Sequence, residues 1–160
     1  PKPSSAASDV YKRQSLGAVH RYRPASDSKN KSDYNKLIEQ KGMVSEHPLV
    51  TVHPETGEKT LFTDPAYVDH IVGLTPRESQ CLLEYLWEHC LRPEFTIRLR
   101  WNAGSIAFWV NRATQHQAIG DNFDTDFSRE LYRGTLNGEV PVGTEGRRST
   151  AISGEPLKPV

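Results

Sequence analysis

The sequence predicts a mainly β fold with one covering helix, an antiparallel sandwich or jelly roll. Three observations carry this. Two β-prone runs flank the turn "PETG" at residues 54–57, "FTIRLRW" at 95–101 alternates apolar and polar side chains, and one well-capped apolar-striped helix lies between them. Period-two alternation is the mark of a strand with one buried face, and a stripe at helical spacing marks a helix with one buried side.

The elements are justified in chain order. Residues 15–23, "SLGAVHRYR", suit a short helix end or a strand. Residues 24–42 are Ser-, Lys- and Asp-rich with little to bury, and read as an exposed loop with one weak helical turn. Leu49–His53 and Lys59–Phe62 form a predicted hairpin, with Gly57 available for positive φ in its turn. His47 and His53, six apart, would share a strand face. A metal pair is conceivable there, and strand-edge polar residues are the commoner case.

A helix is predicted over 75–91. Thr75 suits the N-cap, Pro76 the first helical position, and Glu78 completes a capping box. Leu83, Leu86, Trp87 and Cys90 form its apolar stripe, and Pro93 stops it. Strands are predicted at Phe95–Trp101 and Ser105–Val110 around the turn "NAG", with a last one at Glu130–Leu136. From Gly143 onward the chain is Gly-, Pro- and Ser-rich without a core-forming pattern, so 144–160 is expected to be a flexible tail.

Composition excludes several classes of function. The chain has 160 residues, enough for one domain with a core. Twenty Lys and Arg balance twenty Asp and Glu, so neither nucleic acid nor an anionic membrane is drawn in by net charge. No apolar run approaches the roughly 18 residues of a membrane span. Cys81 and Cys90 lie about 13 Å apart along one helix, too far for a disulfide, and read as buried thiols in a reducing, cytoplasmic setting.

The first residues have a separate explanation. "SSAASDVYKRQ", Ser4–Gln14, is what a transposase adapter used for sequencing libraries encodes when translated. Residues 1–14 are therefore expected to be a translated scar, with the native protein beginning upstream of Ser15.

The candidate chemistry centres on "WVNRATQHQAIGD", where His116 follows a predicted strand. Non-haem Fe(II) oxygenases hold iron by two histidines and a carboxylate on one face, and His116 can supply one imidazole. Arg129 and Arg133 are four apart, an even spacing that puts both on one face of a strand. Inward-facing guanidiniums require anions, and Arg suits bidentate capture of a carboxylate or sulfonate. Two solvated surface arginines are the alternative.

The strings "HPLVTVHPETGEKTLF", "YVDHIVGLTPRES" and "RPEFTIRLRWNAGSIAFWVNRATQH", in this order, resemble the C-terminal part of the taurine dioxygenase (TauD/TfdA-like) family, from about Ser15 to Gly143. The resemblance implies a double-stranded β-helix (jelly roll) and an Fe(II)- and 2-oxoglutarate-dependent dioxygenase. It implies that His116 is the distal histidine of the iron site and that Arg129 pairs with the far carboxylate of 2-oxoglutarate. Arg133, in "YRGTL", would reach the substrate sulfonate, and Tyr67 would lie near the substrate. Residues 15–143 would then be the C-terminal part of such a domain.

Three departures accompany the resemblance. Val110 stands where the usual "WDNR" has an acid, the interval from His116 to Arg129 is a couple of residues longer than in bacterial taurine enzymes, and no His-x-Asp occurs in the sequence. That motif supplies the family's other two iron ligands. The intact protein is therefore expected to hydroxylate a small sulfonate such as taurine with O2. This chain alone is expected to be inactive, poorly soluble and a weak binder of Fe(II). Alkyl sulfates or aryloxyalkanoates are alternative substrates, and a non-enzymatic jelly-roll binding module is the alternative outside catalysis. A homo-oligomer of the intact protein is compatible with the resemblance.

Overall fold

A computed structural model describes residues 15–21, 42–117 and 130–158. The described residues form a mainly β structure with one α-helix. Strands β1 (Gly17–Arg21), β2 (Val44–Pro48), β5 (Val68–Ile71) and β6 (Thr150–Ser153) make an antiparallel sheet in the order β5-β1-β2-β6. β3 (Val50–Val52) and β4 (Lys59–Leu61) form a separate two-stranded hairpin.

The hairpin folds as its sequence predicts. Val50 pairs with Leu61 and Val52 with Lys59, and Gly57 takes φ +72 in the turn, a conformation that costs a residue without Cβ nothing. His53 Nδ1 accepts the backbone N–H groups of Glu55 and Thr56, both at 3.3 Å, and so closes the turn. His47 and His53 do not share a strand face. The chain changes sheets at Leu49, so His47 lies in β2 and His53 lies beyond β3.

The helix α1 (Pro76–Cys90) starts at Thr75, where both halves of the capping box form. Glu78 Oε2 accepts the Thr75 backbone N–H at 2.9 Å, and Thr75 Oγ1 accepts the Glu78 N–H at 3.4 Å. Hydrogen bonds from Thr75 hold the Glu78 carboxyl below its ordinary pKa. Leu83 is the buried point of the apolar stripe. It joins Ala18, Leu49, Val68 and Ile71 in the core, against which Leu86 and Trp87 pack half-buried. Ser79 Oγ accepts the Ile71 backbone N–H at 2.8 Å, which ties α1 to β5. Cys81 is exposed rather than buried, because it lies off this stripe; Cys90 is half-buried, which raises its thiol pKa.

Three predicted strands are not formed. After a 3-10 turn at Pro93–Phe95, residues 96–101 and 105–110 run without a ladder around the turn at 102–105, and 130–136 does likewise. Ile97 and Phe108 are more than nine-tenths exposed. Alternation specifies which face a strand would bury, but a strand exists only when a neighbour takes its N–H and C=O groups. Among the described residues these runs have no ladder partner.

The C-terminal segment packs along the sheet as far as Ser153. Gly143 bridges to Thr51 and Val142 to Arg148, and β6 pairs with β2. Arg147 donates to the Ser15 carbonyl at 3.0 Å and forms an ion pair with Glu46. All four β6 side chains are exposed. The strand is held by backbone hydrogen bonds, which leave no apolar period to read.

Candidate functional site

The candidate site is built on residues 109–117. Val110 O accepts the N–H of Ala113 at 2.9 Å and of Thr114 at 3.0 Å, together with the Thr114 hydroxyl at 3.0 Å. This makes one tight turn that carries the chain to His116. Position 110 works here through its carbonyl, which any side chain provides, so valine in place of an acid leaves the turn intact. Trp109 Nε1 donates to Asn111 Oδ1 at 2.8 Å, and the Trp109 and His116 rings lie 5.2 Å apart at 53°.

The loop is fastened at three points. Thr60 on β4 donates its hydroxyl to Arg112 O at 3.4 Å, and Gln115 Nε2 donates to Thr63 O. Arg112 Nη1 donates to Glu139 O at 2.8 Å, which joins the loop bearing His116 to the segment bearing Arg133. A cleft of about 10 Å3, room for one water, is left between the hairpin and this loop, lined by Thr51, Thr60, Val110, Arg112 and Pro141.

His116 and Arg133 are both exposed, Tyr67 is 46% exposed, and Arg129 lies outside the described residues. The Tyr67 backbone is fixed between strands: its carbonyl accepts Arg21 N–H at 2.7 Å, and its N–H donates to Asp64 O at 3.2 Å.

His116 is sterically open to a metal, and among the described residues no hydrogen bond occupies its ring. Those residues hold no group of three or more His, Cys, Asp or Glu able to bind a metal ion. The nearest pattern to His-x-Asp is His53-Pro54-Glu55, and its histidine uses Nδ1 to close the hairpin turn. The described residues therefore fit one imidazole of an iron site, not a complete site.

Sequence reasoning missed a second pair of imidazoles. His20 on β1 and His47 on β2 lie with ring centroids 4.7 Å apart, and Phe62 from the end of β4 lies 5.2 Å from each ring. Burial lowers the His20 pKa to about 4, opposed by a hydrogen bond to the Phe62 backbone. Burial and the neighbouring His20 likewise lower His47 to about 4. Ala18 and His20, two apart in a β-prone run, were the available signal that one face of β1 is buried.

Comparison with known proteins gives a consistent result. The profile of the taurine catabolism dioxygenase TauD, TfdA family matches residues 6–135, beginning inside the segment expected to be a scar. An α-ketoglutarate-dependent sulfate ester dioxygenase of Pseudomonas putida is 41% identical over 127 residues, 79% of this chain and 41% of that protein. An alkylsulfatase of Acinetobacter baylyi is 43% identical over 102 residues, 64% of this chain and 31% of that protein. The crystal structure of a taurine dioxygenase from Burkholderia xenovorans superimposes with TM-score 0.77 at 51% identity, covering 96% of this chain and 49% of that one. The chain thus spans less than half the length of these relatives.

Proposed function

The chain belongs to the taurine catabolism dioxygenase TauD, TfdA family, and on that premise we propose that the whole protein is an Fe(II)- and 2-oxoglutarate-dependent dioxygenase. Its substrate class is a small organic anion ending in a sulfonate or a sulfate ester. The observation that carries the reading is that the family match spans "WVNRATQH" and that His116, which the resemblance reads as the distal histidine, is exposed with no hydrogen bond on its ring among the described residues.

His116 is one iron ligand, completed by a His-x-Asp pair that this sequence does not contain. Bound iron with 2-oxoglutarate supplies the O2 chemistry that hydroxylates the substrate carbon next to the sulfur-bearing group. The chain's own residues bind and orient. Arg129 takes the far carboxylate of 2-oxoglutarate, Arg133 takes the sulfonate or sulfate, and Tyr67 borders the substrate. Guanidinium suits each anion because its fork matches two oxygens at once. The Arg112–Glu139 hydrogen bond supports this assignment, since it couples the Arg133 segment to the His116 loop.

A jelly roll is the architecture of the whole domain in this reading. Phe95, Ile97, Leu99, Ile106 and Phe108, period-two apolar side chains of residues 95–110, are exposed, as strands awaiting a ladder would be.

Two relatives are named for sulfate esters and one for taurine, a sulfonate, and the products separate the two substrates. Hydroxylation beside a sulfonate sulfur collapses to an aldehyde and sulfite; hydroxylation at the carbon bearing the ester oxygen collapses to an aldehyde and sulfate. The test replaces the matching part of the Burkholderia xenovorans taurine dioxygenase with residues 15–143, then supplies Fe(II), 2-oxoglutarate, and taurine or a short alkyl sulfate. Succinate formed together with sulfite or sulfate supports the reading and chooses between substrates. Turnover restricted to aryloxyalkanoates would remove the sulfur substrates.

A further inference from the structure

We infer that Gln115, Thr63 and Trp87 form a positioning relay that sets the His116 imidazole; the inference rests on the reading of His116 as an iron ligand. Thr63 is 3% exposed and lies just past β4. Its hydroxyl accepts the Trp87 indole N–H at 2.9 Å, and its carbonyl accepts the Gln115 side-chain amide. One buried residue thus holds α1 on one side and the residue next to His116 on the other.

The relay acts where a ligand loop needs it. The 110–114 turn fixes the loop's entry, and the Thr60–Arg112 hydrogen bond fixes its middle. Thr60 is in turn braced by Thr51 across the hairpin, hydroxyl to hydroxyl at 2.9 Å. Beyond Arg112, the Gln115 amide is the side-chain hydrogen bond nearest His116 among the described residues. A metal ligand requires its ring within a few tenths of an ångström and a narrow range of angles, and supporting hydrogen bonds supply that order. Here the support reaches the ligand through its neighbour's side chain and ends on the indole of a core-packed tryptophan. The Trp109 ring bounds the imidazole on the other side.

Gln115 is exposed, so substitutions there leave the core untouched. Gln115→Glu keeps the size and removes the N–H donor; Gln115→Ala removes the side chain. In the 160-residue chain, the His116 ring protons are expected to carry a ring-current shift from Trp109, read by NMR. Both variants are expected to lose most of that shift while circular dichroism stays unchanged, and Trp87→Phe is expected to lose part of it. A His116 shift unchanged in Gln115→Glu and Gln115→Ala overturns the relay.

A second arm addresses the ligand reading itself. In the chimera that carries residues 15–143 within the Burkholderia xenovorans taurine dioxygenase, Co(II) is expected to broaden the His116 resonances, and about tenfold less at equal concentration in Gln115→Ala. If Co(II) never broadens His116 while the ring-current shift still responds to Gln115, the relay stands as geometry and the iron-ligand reading fails. Equal broadening in both proteins overturns the positioning role.

Discussion

His20 and His47 meet edge to face across the β1–β2 ladder, with ring planes at 84°, and among the described residues each keeps a buried ring nitrogen without a hydrogen-bond partner: Nε2 of His20 and Nδ1 of His47. His47 stands opposite Ala18, two residues from His20, so both rings project from one face toward Phe62. Burying a charged imidazole is costly, and a second beside it adds repulsion. The pair is therefore held neutral. Val68 faces His20 from β5, and among the described residues no carboxylate forms an ion pair with either ring.

This arrangement predicts acid lability. The folded pKa of each ring is about 4 against an ordinary 6.5, so the unfolded chain takes up protons first as pH falls. The stabilisation is fully present above pH 6.5 and is lost as pH drops from 6.5 toward 4. Each imidazole accounts for on the order of 3 kcal/mol over that window. Urea unfolding at pH 7, 6, 5 and 4 should show the midpoint falling steeply. His20→Phe should roughly halve the fall, and an equal fall in that variant would show that the pair is not its source.

Helix initiation predicts a smaller effect. Thr75→Ala removes the oxygen that accepts the Glu78 N–H and should cost about 1 kcal/mol in thermal or denaturant unfolding. Thr75→Ser should restore most of it. If both variants lose equally, capping is not what position 75 contributes.

The core predicts a larger effect. Leu83 is 1% exposed and is the buried apolar side chain through which α1 meets the sheet. Leu83→Ala should cost about 2–5 kcal/mol, the transfer loss plus the cavity left behind. Exposed Leu91, 66% accessible, should tolerate the same change within about 0.5 kcal/mol. Equal losses at both positions would contradict the packing described.

The C-terminal segment predicts a steric effect. A Cβ on Gly143 would come within 2.9 Å of Pro48 Cβ. Gly143→Ala should therefore loosen the Thr51–Gly143 bridge, and hydrogen exchange at Val52 N–H, which donates to Val142 O at 2.8 Å, should accelerate. Unchanged exchange would mean the segment yields without releasing β3.

Much of this was legible in the residues, and the exceptions share a cause. Thr75, Pro76 and Glu78 act locally, so the helix start could be read directly, as could the hairpin around Gly57. Strands at 95–110 were not realised because alternation in one run says nothing of its partner. β6 was invisible because it buries no side chain. At the candidate site, His116 is singled out only by the resemblance, whereas Gln115 and Thr63 meet across 52 residues through a backbone carbonyl, which carries no residue signature. The His20–His47 pair escaped notice for the same reason, since it exists only through the pairing of β1 with β2.

The central claim is that His116 supplies one ligand of a family iron site, and it is tested most directly by His116→Ala in the folded chimera that carries residues 15–143 within the Burkholderia xenovorans taurine dioxygenase. With Fe(II) and a sulfonate or alkyl sulfate, succinate formation should fall by at least about 1000-fold while the circular dichroism spectrum is retained, since a facial site does not survive loss of one of its three ligands. Turnover retained within about tenfold after His116→Ala would contradict the account.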